Sequence, residues 1–412
     1  MRPTTVLLTL SLLLAACSQP QFTATFTPTT LPTSTPTPTP TTTEATPSDL
    51  APIFDQILSR VSEIRELEPL NVITPKFMNR EELADTLRED LEESREDILN
   101  SQELFKIMGL IPQDADLYEL LLALYGEQVV GFYNTETEEL YVIKGAEEMR
   151  PLDELTLAHE YVHALQQQHF DIHALSQAAE DDPETGSSLG ALIEGDATIV
   201  QVEYMRAHLT SEQQQEVFSA SGDSPIFDAS SYVLQQSLLF PYNEGANMVS
   251  NLLFSGHWGV INNAYENPPV STEQVLHVQK YLEGERPATI SLPDIATALD
   301  QGWEMSYGDV MGEFLLRTYL ETQTSASLAS RAAAGWGGDR FNLITNFQGE
   351  QALVALLEWD SERDAREFFD ALDSSDSIAN DGFLGVSGDR VLWVFSPSRD
   401  ITDEIVSLFP EF

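Results

Sequence analysis

The chain is poor in three things, and each absence excludes something. It has one cysteine, Cys17, so no disulfide within the chain can brace it. Bases are scarce: 20 Lys and Arg stand against 67 Asp and Glu, a formal net charge of −47. That balance argues against nucleic acid, and against an anionic membrane, as a partner of the protein surface. Its plainest reading is solubility. No long hydrophobic run is present either. The apolar stretch Val6 to Leu14 is too short to span a bilayer as a normal helix.

The apolar stretch has another use. Arg2 supplies a short positive region before it, and Leu14-Ala15-Ala16-Cys17 closes it with small residues. Residues 1–17 therefore read as a signal segment. The closing four resemble the lipobox of bacterial lipoproteins, whose cysteine is lipidated and becomes the new N-terminus. The resemblance implies a protein outside the cytoplasm, held on the bacterial cell membrane through diacylglyceryl-Cys17 alone. An ordinary secretory signal with a chance cysteine is the plainer alternative.

Residues 18–49 alternate Thr and Ser with Pro and hold almost no core-forming side chains. Such a stretch cannot bury enough apolar surface to fold. Extended polyproline geometry would let it hold a domain on the order of 90 Å from its anchor. Folding is expected from about residue 50, in a main domain over 50–334 and a small α+β appendage over 335–412.

Helical spacing runs through residues 52–67 and 80–99, and again at 103–110 and 115–125. LNVITPKFM (70–78) looks extended. Residues 129–144 form two β-rich runs around polar Asn134 to Glu139, which predicts a hairpin. Pro151 and Asp153 then open a strong helix, and LGALIEGDATIVQVEYMRAHL predicts another. More helices are expected to about residue 325. The expected class is α+β, mainly helical, with a small mixed sheet or hairpin beside the Pro151 helix.

That helix carries His159-Glu160-Tyr161-Val162-His163. Residues four apart on a helix share one face, so both imidazoles can meet one ion. Zinc favours such ligands, and Glu160 beside the first can reach the water without binding the metal. By chance alone, a chain of this His and Glu content shows HExxH with a probability of roughly one per cent.

A third ligand has two candidates. His169 matches the spacing of HExxHxxGxxH, but Gln166 stands at the glycine position. The helix should run on there and turn His169 about 240° away from His163. Glu194, an acid among Leu189, Leu192, Ile193 and Val200, is the stronger one. Gly195 beside it would let two helices approach closely.

An HExxH helix followed by a Glu helix resembles the gluzincin group of zincin metallopeptidases. The Glu194-Gly195-Asp196-Ala197 context is similar to that of uncharacterised bacterial zincin-like lipoproteins. The resemblance covers roughly residues 125–205. It implies one zinc per chain on His159, His163 and Glu194, with Glu160 as general base and later proton donor. Gluzincins often carry an Asp four residues past the Glu ligand to orient a histidine, whereas this chain has Thr198 there. Asp196, about 200° round the helix from Glu194, should not serve unless the helix bends. His277, Tyr242 and Tyr281 are candidate oxyanion donors, and Glu244 is either a capping or an active-site acid. Strand Val129 to Tyr133, or its partner Leu140 to Ile143, could pair with substrate backbone, which makes Phe132 and Tyr133 substrate-binding candidates.

The expected function is a zinc-dependent metallopeptidase acting on peptide or protein substrates. A non-catalytic surface lipoprotein with a vestigial zinc site is the alternative. A third reading is a non-peptide amide substrate such as cell-wall material.

Overall fold

The computed structural model describes residues 9–10, 47–128, 131–143, 149–220, 224–299, 302–373 and 381–412. Apart from Thr9–Leu10, the expected signal segment, Cys17 included, and most of the Thr/Pro tether lie outside the described residues. Helix Pro47–Arg65 already begins inside the stretch assigned to the tether. No helix among the described residues is long and apolar enough to cross a membrane.

The chain is α+β, mainly helical with two small sheets. The first contains β1 (Thr9–Leu10), β2 (Lys76–Met78), β3 (Gly131–Asn134) and β4 (Glu139–Ile143), in the order β1-β3-β4-β2. β3 and β4 form the expected antiparallel hairpin. The Asn134 side chain closes its turn by accepting the Glu136 and Thr137 amides at 3.0 and 2.8 Å. β2 pairs parallel to β4 along that strand's other side, so β4 is not the open edge that substrate backbone would need. The outer side of β3 meets Thr9–Leu10.

The motif helix, Pro151–Phe170, lies against β3. Pro151 opens it, and Asp153 accepts the Arg150 amide at 3.0 Å. The Glu194 helix, Pro183–His208, packs on the motif helix and is capped by Asp182, which accepts the Thr185 amide at 3.1 Å. A third helix, Tyr232–Ser255, crosses it at two glycines. A β-carbon on Gly195 would stand 2.2 Å from the Gly245 carbonyl carbon, and one on Gly245 would stand 2.1 Å from the Ala191 oxygen. The close approach expected at Gly195 is therefore real, and glycine is needed on both sides.

The helical stretch expected over 80–99 is two helices, Arg80–Glu93 and Arg95–Ile107, hinged at Ser94. The first spans two cores, its Leu91 already in the one that the second joins. Leu83 and Leu87 pack on Phe132, whereas Ile98 and Leu104 join the C-terminal core, so the chain must turn between them.

The second sheet corrects the expected C-terminal appendage. It contains β5 (Trp303–Asp309), β6 (Trp336–Asn346), β7 (Gln351–Trp359), β8 (Phe383–Ser387) and β9 (Arg390–Phe395), in the antiparallel order β5-β6-β7-β9-β8. Residues 303–309 were expected to be helical; they are its edge strand and fall before residue 335. Side chains alternate between the two faces. Leu353, Ala355 and Leu357 face the core that contains Phe368, while Ala352, Val354 and Leu356 face the one with Ile295 and Ile405. The first of these cores also takes in Ile98, Leu104, Leu117 and Val233. The sheet thus shares an interior with the helical part.

Candidate metal centre

Two helices meet at the motif. The motif helix brings His159, Glu160 and His163, all at most 1 % exposed, and the Glu194 helix brings Glu194. One ligand atom each from His159, His163 and Glu194 lies within 4.8 Å of the others. His159 Nε2 is 3.0 Å from Glu194 Oε2, and His163 Nε2 is 3.5 Å from the same oxygen. His163 Nε2, on the Glu194 side, is left without a hydrogen-bond partner among the described residues. Buried polar atoms left this way are costly unless a cation joins them. Two imidazoles and a carboxylate are the donor set that zinc takes in open, catalytic sites. The residues present fit the ion.

Charge follows the same geometry. Burial alone would raise Glu194, but His163 and His159 outweigh it and hold the carboxyl at about 2. Burial lowers His159. At His163 burial is outweighed by Glu194 and Glu160, which lift it to about 9. Glu160 is pushed well above the usual carboxylate range, mainly by burial, although the Tyr133 amide donates to it. A buried carboxyl that binds a proton readily suits a proton carrier.

Sequence reasoning missed the support behind His163. Gln166 Oε1 is 2.8 Å from His163 Nδ1. Gln166 Nε2 donates to the Ile193 carbonyl at 3.0 Å and to Asp196 Oδ2 at 3.1 Å. Both of those partners only accept, so the amide must turn its oxygen to His163, whose Nδ1 must then carry the hydrogen. That tautomer leaves Nε2 free to ligate. Asp196 in turn accepts from Arg65 Nε at 2.7 Å and from the Tyr265 hydroxyl at 2.9 Å. Arg65 and Asp196 are both fully buried, and the guanidinium lies 4.5 Å from the Trp258 ring centre. Asp196 was expected to orient a histidine only if the helix bent; it reaches His163 through Gln166 instead.

The remaining expected residues separate. The Tyr242 ring centre is 6.2 Å from that of His159, so this residue is at the site. His277 pairs with Glu313 at 2.8 Å, and no hydrogen bond or ring contact joins it to the triad among the described residues. The Tyr281 hydroxyl donates to the Asn267 carbonyl, and Glu244 accepts from Asn247. His169 meets the Glu68 carbonyl at 2.8 Å, on the outside of an uninterrupted helix. Phe132 and Tyr133 were expected at the substrate, but their side chains are buried in two cores, because β3 is covered on both faces. Tyr133 serves the site through its backbone amide.

Residues 303–406 match the family model of a domain of unknown function, DUF8575. No curated protein and no solved structure matches the chain.

Proposed function

We propose that the protein is an exported, zinc-dependent metallopeptidase of the gluzincin-like zincin type. The observation that carries this reading is the meeting of His159, His163 and Glu194 within 4.8 Å, with buried Glu160 beside them. When bound, zinc polarises a substrate carbonyl and lowers the pKa of water in its open position. Glu160 takes the proton of the attacking water and returns it to the leaving amine. The Tyr133 amide holds the Glu160 carboxyl in place, and Gln166 keeps His163 in its ligating tautomer. Tyr242, whose ring faces the His159 ring, donates its phenol hydrogen to the developing oxyanion. The export half of the proposal rests on the lipobox ending at Cys17.

Metal analysis paired with peptide cleavage tests it. About one zinc per chain is expected, lost in His159→Ala and in Glu194→Ala. Glu160→Gln should keep the metal and abolish hydrolysis. Hydrolysis retained in that variant removes Glu160 from its role. A wild-type protein that binds no zinc removes the reading altogether. Metabolic labelling with palmitate should mark the wild type and not Cys17→Ser.

A further inference from the structure

A cavity of about 540 Å³ opens beside Glu194 and Tyr242. Its volume is that of a pocket for a small ligand or part of a chain, about 300–1,000 Å³. Stretches distant in sequence build it, Tyr242 and Phe240 coming from helix Tyr232–Ser255. Leu87 and Phe105 come from the helices before the hairpin, Gly190 from the Glu194 helix, and Met311, Phe314 and Leu315 from the C-terminal unit. The ionisable side chains at its wall are Asp90, Glu184 and Glu194 besides tyrosines, with no Lys, Arg or His among its described lining residues. A second carboxylate entering here would meet acids and no base.

The glycines of the Glu194 helix divide into two kinds. Gly195 is required by the helix crossing. Gly190 is not: a β-carbon there meets nothing within 4 Å. Glycine is a poor helix former, so packing does not account for its presence at this position. Gly190 and Glu194 are four apart and share a face, and both line the cavity. The missing side chain leaves room one turn from the metal-ligand carboxylate.

The opposite wall is pinned. Glu184 accepts the Thr272 amide at 2.8 Å, and Thr272 Oγ1 accepts the Phe314 amide at 3.2 Å. Gly312, at φ +74°, has no room for a β-carbon, which would lie 2.0 Å from Glu184 Oε1. Asp339 accepts the Met311 and Gly312 amides at 2.8 and 3.0 Å. The turn bearing Met311 and Phe314 is therefore fixed against the Glu194 helix.

We propose that this cavity receives a large apolar side chain of the peptide substrate next to the scissile bond, that Gly190 sets its size, and that the unit matching the domain of unknown function supplies its outer wall. This rests on the metallopeptidase reading. It gives the C-terminal unit a role in selecting substrate.

The test uses blocked hexapeptides of alanine with one varied residue: Leu, Phe, Ala, Lys or Asp. Wild type should cleave the Leu and Phe peptides at least about tenfold faster than the Ala peptide, and the Asp peptide slowest. Gly190→Leu should lower kcat/KM on the Leu and Phe peptides at least about tenfold, hold the Ala peptide within about twofold and keep its zinc. Leu315→Lys should raise cleavage of the Asp peptide at least about tenfold relative to wild type. Wild type indifferent to the varied residue, or Gly190→Leu slowing every peptide alike, overturns the assignment. Binding of the same peptides to Glu160→Gln and to Glu160→Gln/Gly190→Leu, read by fluorescence, separates this proposal from the catalytic one. A Phe-over-Ala preference that Gly190→Leu removes, without cleavage by wild type, leaves the cavity assignment standing and ends the peptidase reading. Cleavage that depends on Glu160 but shows no such preference does the reverse.

Discussion

Gln166 bridges His163 and Asp196, with its amide oxygen 2.8 Å from the histidine and its amide nitrogen 3.1 Å from the carboxylate. Removing the bridge leaves His163 free to adopt the other tautomer and Asp196 one donor short. Gln166→Leu is expected to weaken zinc binding about 10–100-fold, as loss of such outer partners does. A competition titration against a chelator measures it. Unchanged affinity would mean that the bridge only packs the core.

Arg65 meets Asp196 with both side chains fully buried. Taking away one member of such a pair strands the other charge, and roughly 3–5 kcal/mol of stability is lost. Arg65→Met should show this as a lower midpoint in denaturant melts. Arg65→Met/Asp196→Asn should recover part of the loss. A double variant no better than the single one would show that the arginine acts through its contacts with Trp258 and Phe170 instead.

The two glycines of the Glu194 helix should respond in opposite directions. At Gly195 a methyl group collides with the Gly245 backbone. Gly195→Ala is expected to cost about 1–3 kcal/mol or more, since backbone must move. Gly190→Ala meets open space and should be neutral or stabilising by about 0.5–1 kcal/mol. Thermal melts of the two variants side by side decide this.

Buried acids set the pH dependence of stability. Burial lifts Glu184 from 4.5 to about 8, against the Thr272 hydrogen bonds, and lifts Asp339 from 3.8 to about 6. Both are therefore protonated more readily in the folded chain than in the unfolded one. Between pH 4.5 and about 8 the folded chain holds the extra Glu184 proton, so stability falls as pH rises through that window. Melting temperature should decline from pH 5 to pH 8 more steeply in wild type than in Glu184→Gln. Equal slopes would remove Glu184 as a source of the decline.

The meeting of His159, His163 and Glu194 was legible because its signals are local. His159 and His163 need only a helix to meet, and Pro151 with Asp153 announces that helix. Glu194 stood out as an acid on an apolar face. The hairpin showed through the polar turn between two β-rich runs. What the sequence hid depends on distant partners. β5 is a strand because β6 lies beside it, and its short run of Trp303, Met305 and Tyr307 is too brief to separate from a helix by period. Arg65 and Asp196 are 131 residues apart, and nothing local to either names the other. Gln166 was noticed only as the residue that kept the helix from breaking; its second task follows from what the neighbouring helix offers it. Phe132 and Tyr133 misled because adjacent strand residues point to opposite faces, and here both faces are covered.

Arg65 closes the first helix, and that position limits where the chain can be cut without loss of its contacts. A cut in the Thr/Pro stretch before residue 47 would leave Arg65 and the contacts behind His163 in place. A cut just after Arg65 would carry off the cation that faces Asp196 and, with it, the far end of the chain of contacts holding His163. Helix Pro47–Arg65 thus takes part, through Asp196 and Gln166, in the contacts behind His163. A shortened form that keeps the fold should begin upstream of Phe54, whose side chain seats that helix in the core shared with the motif helix.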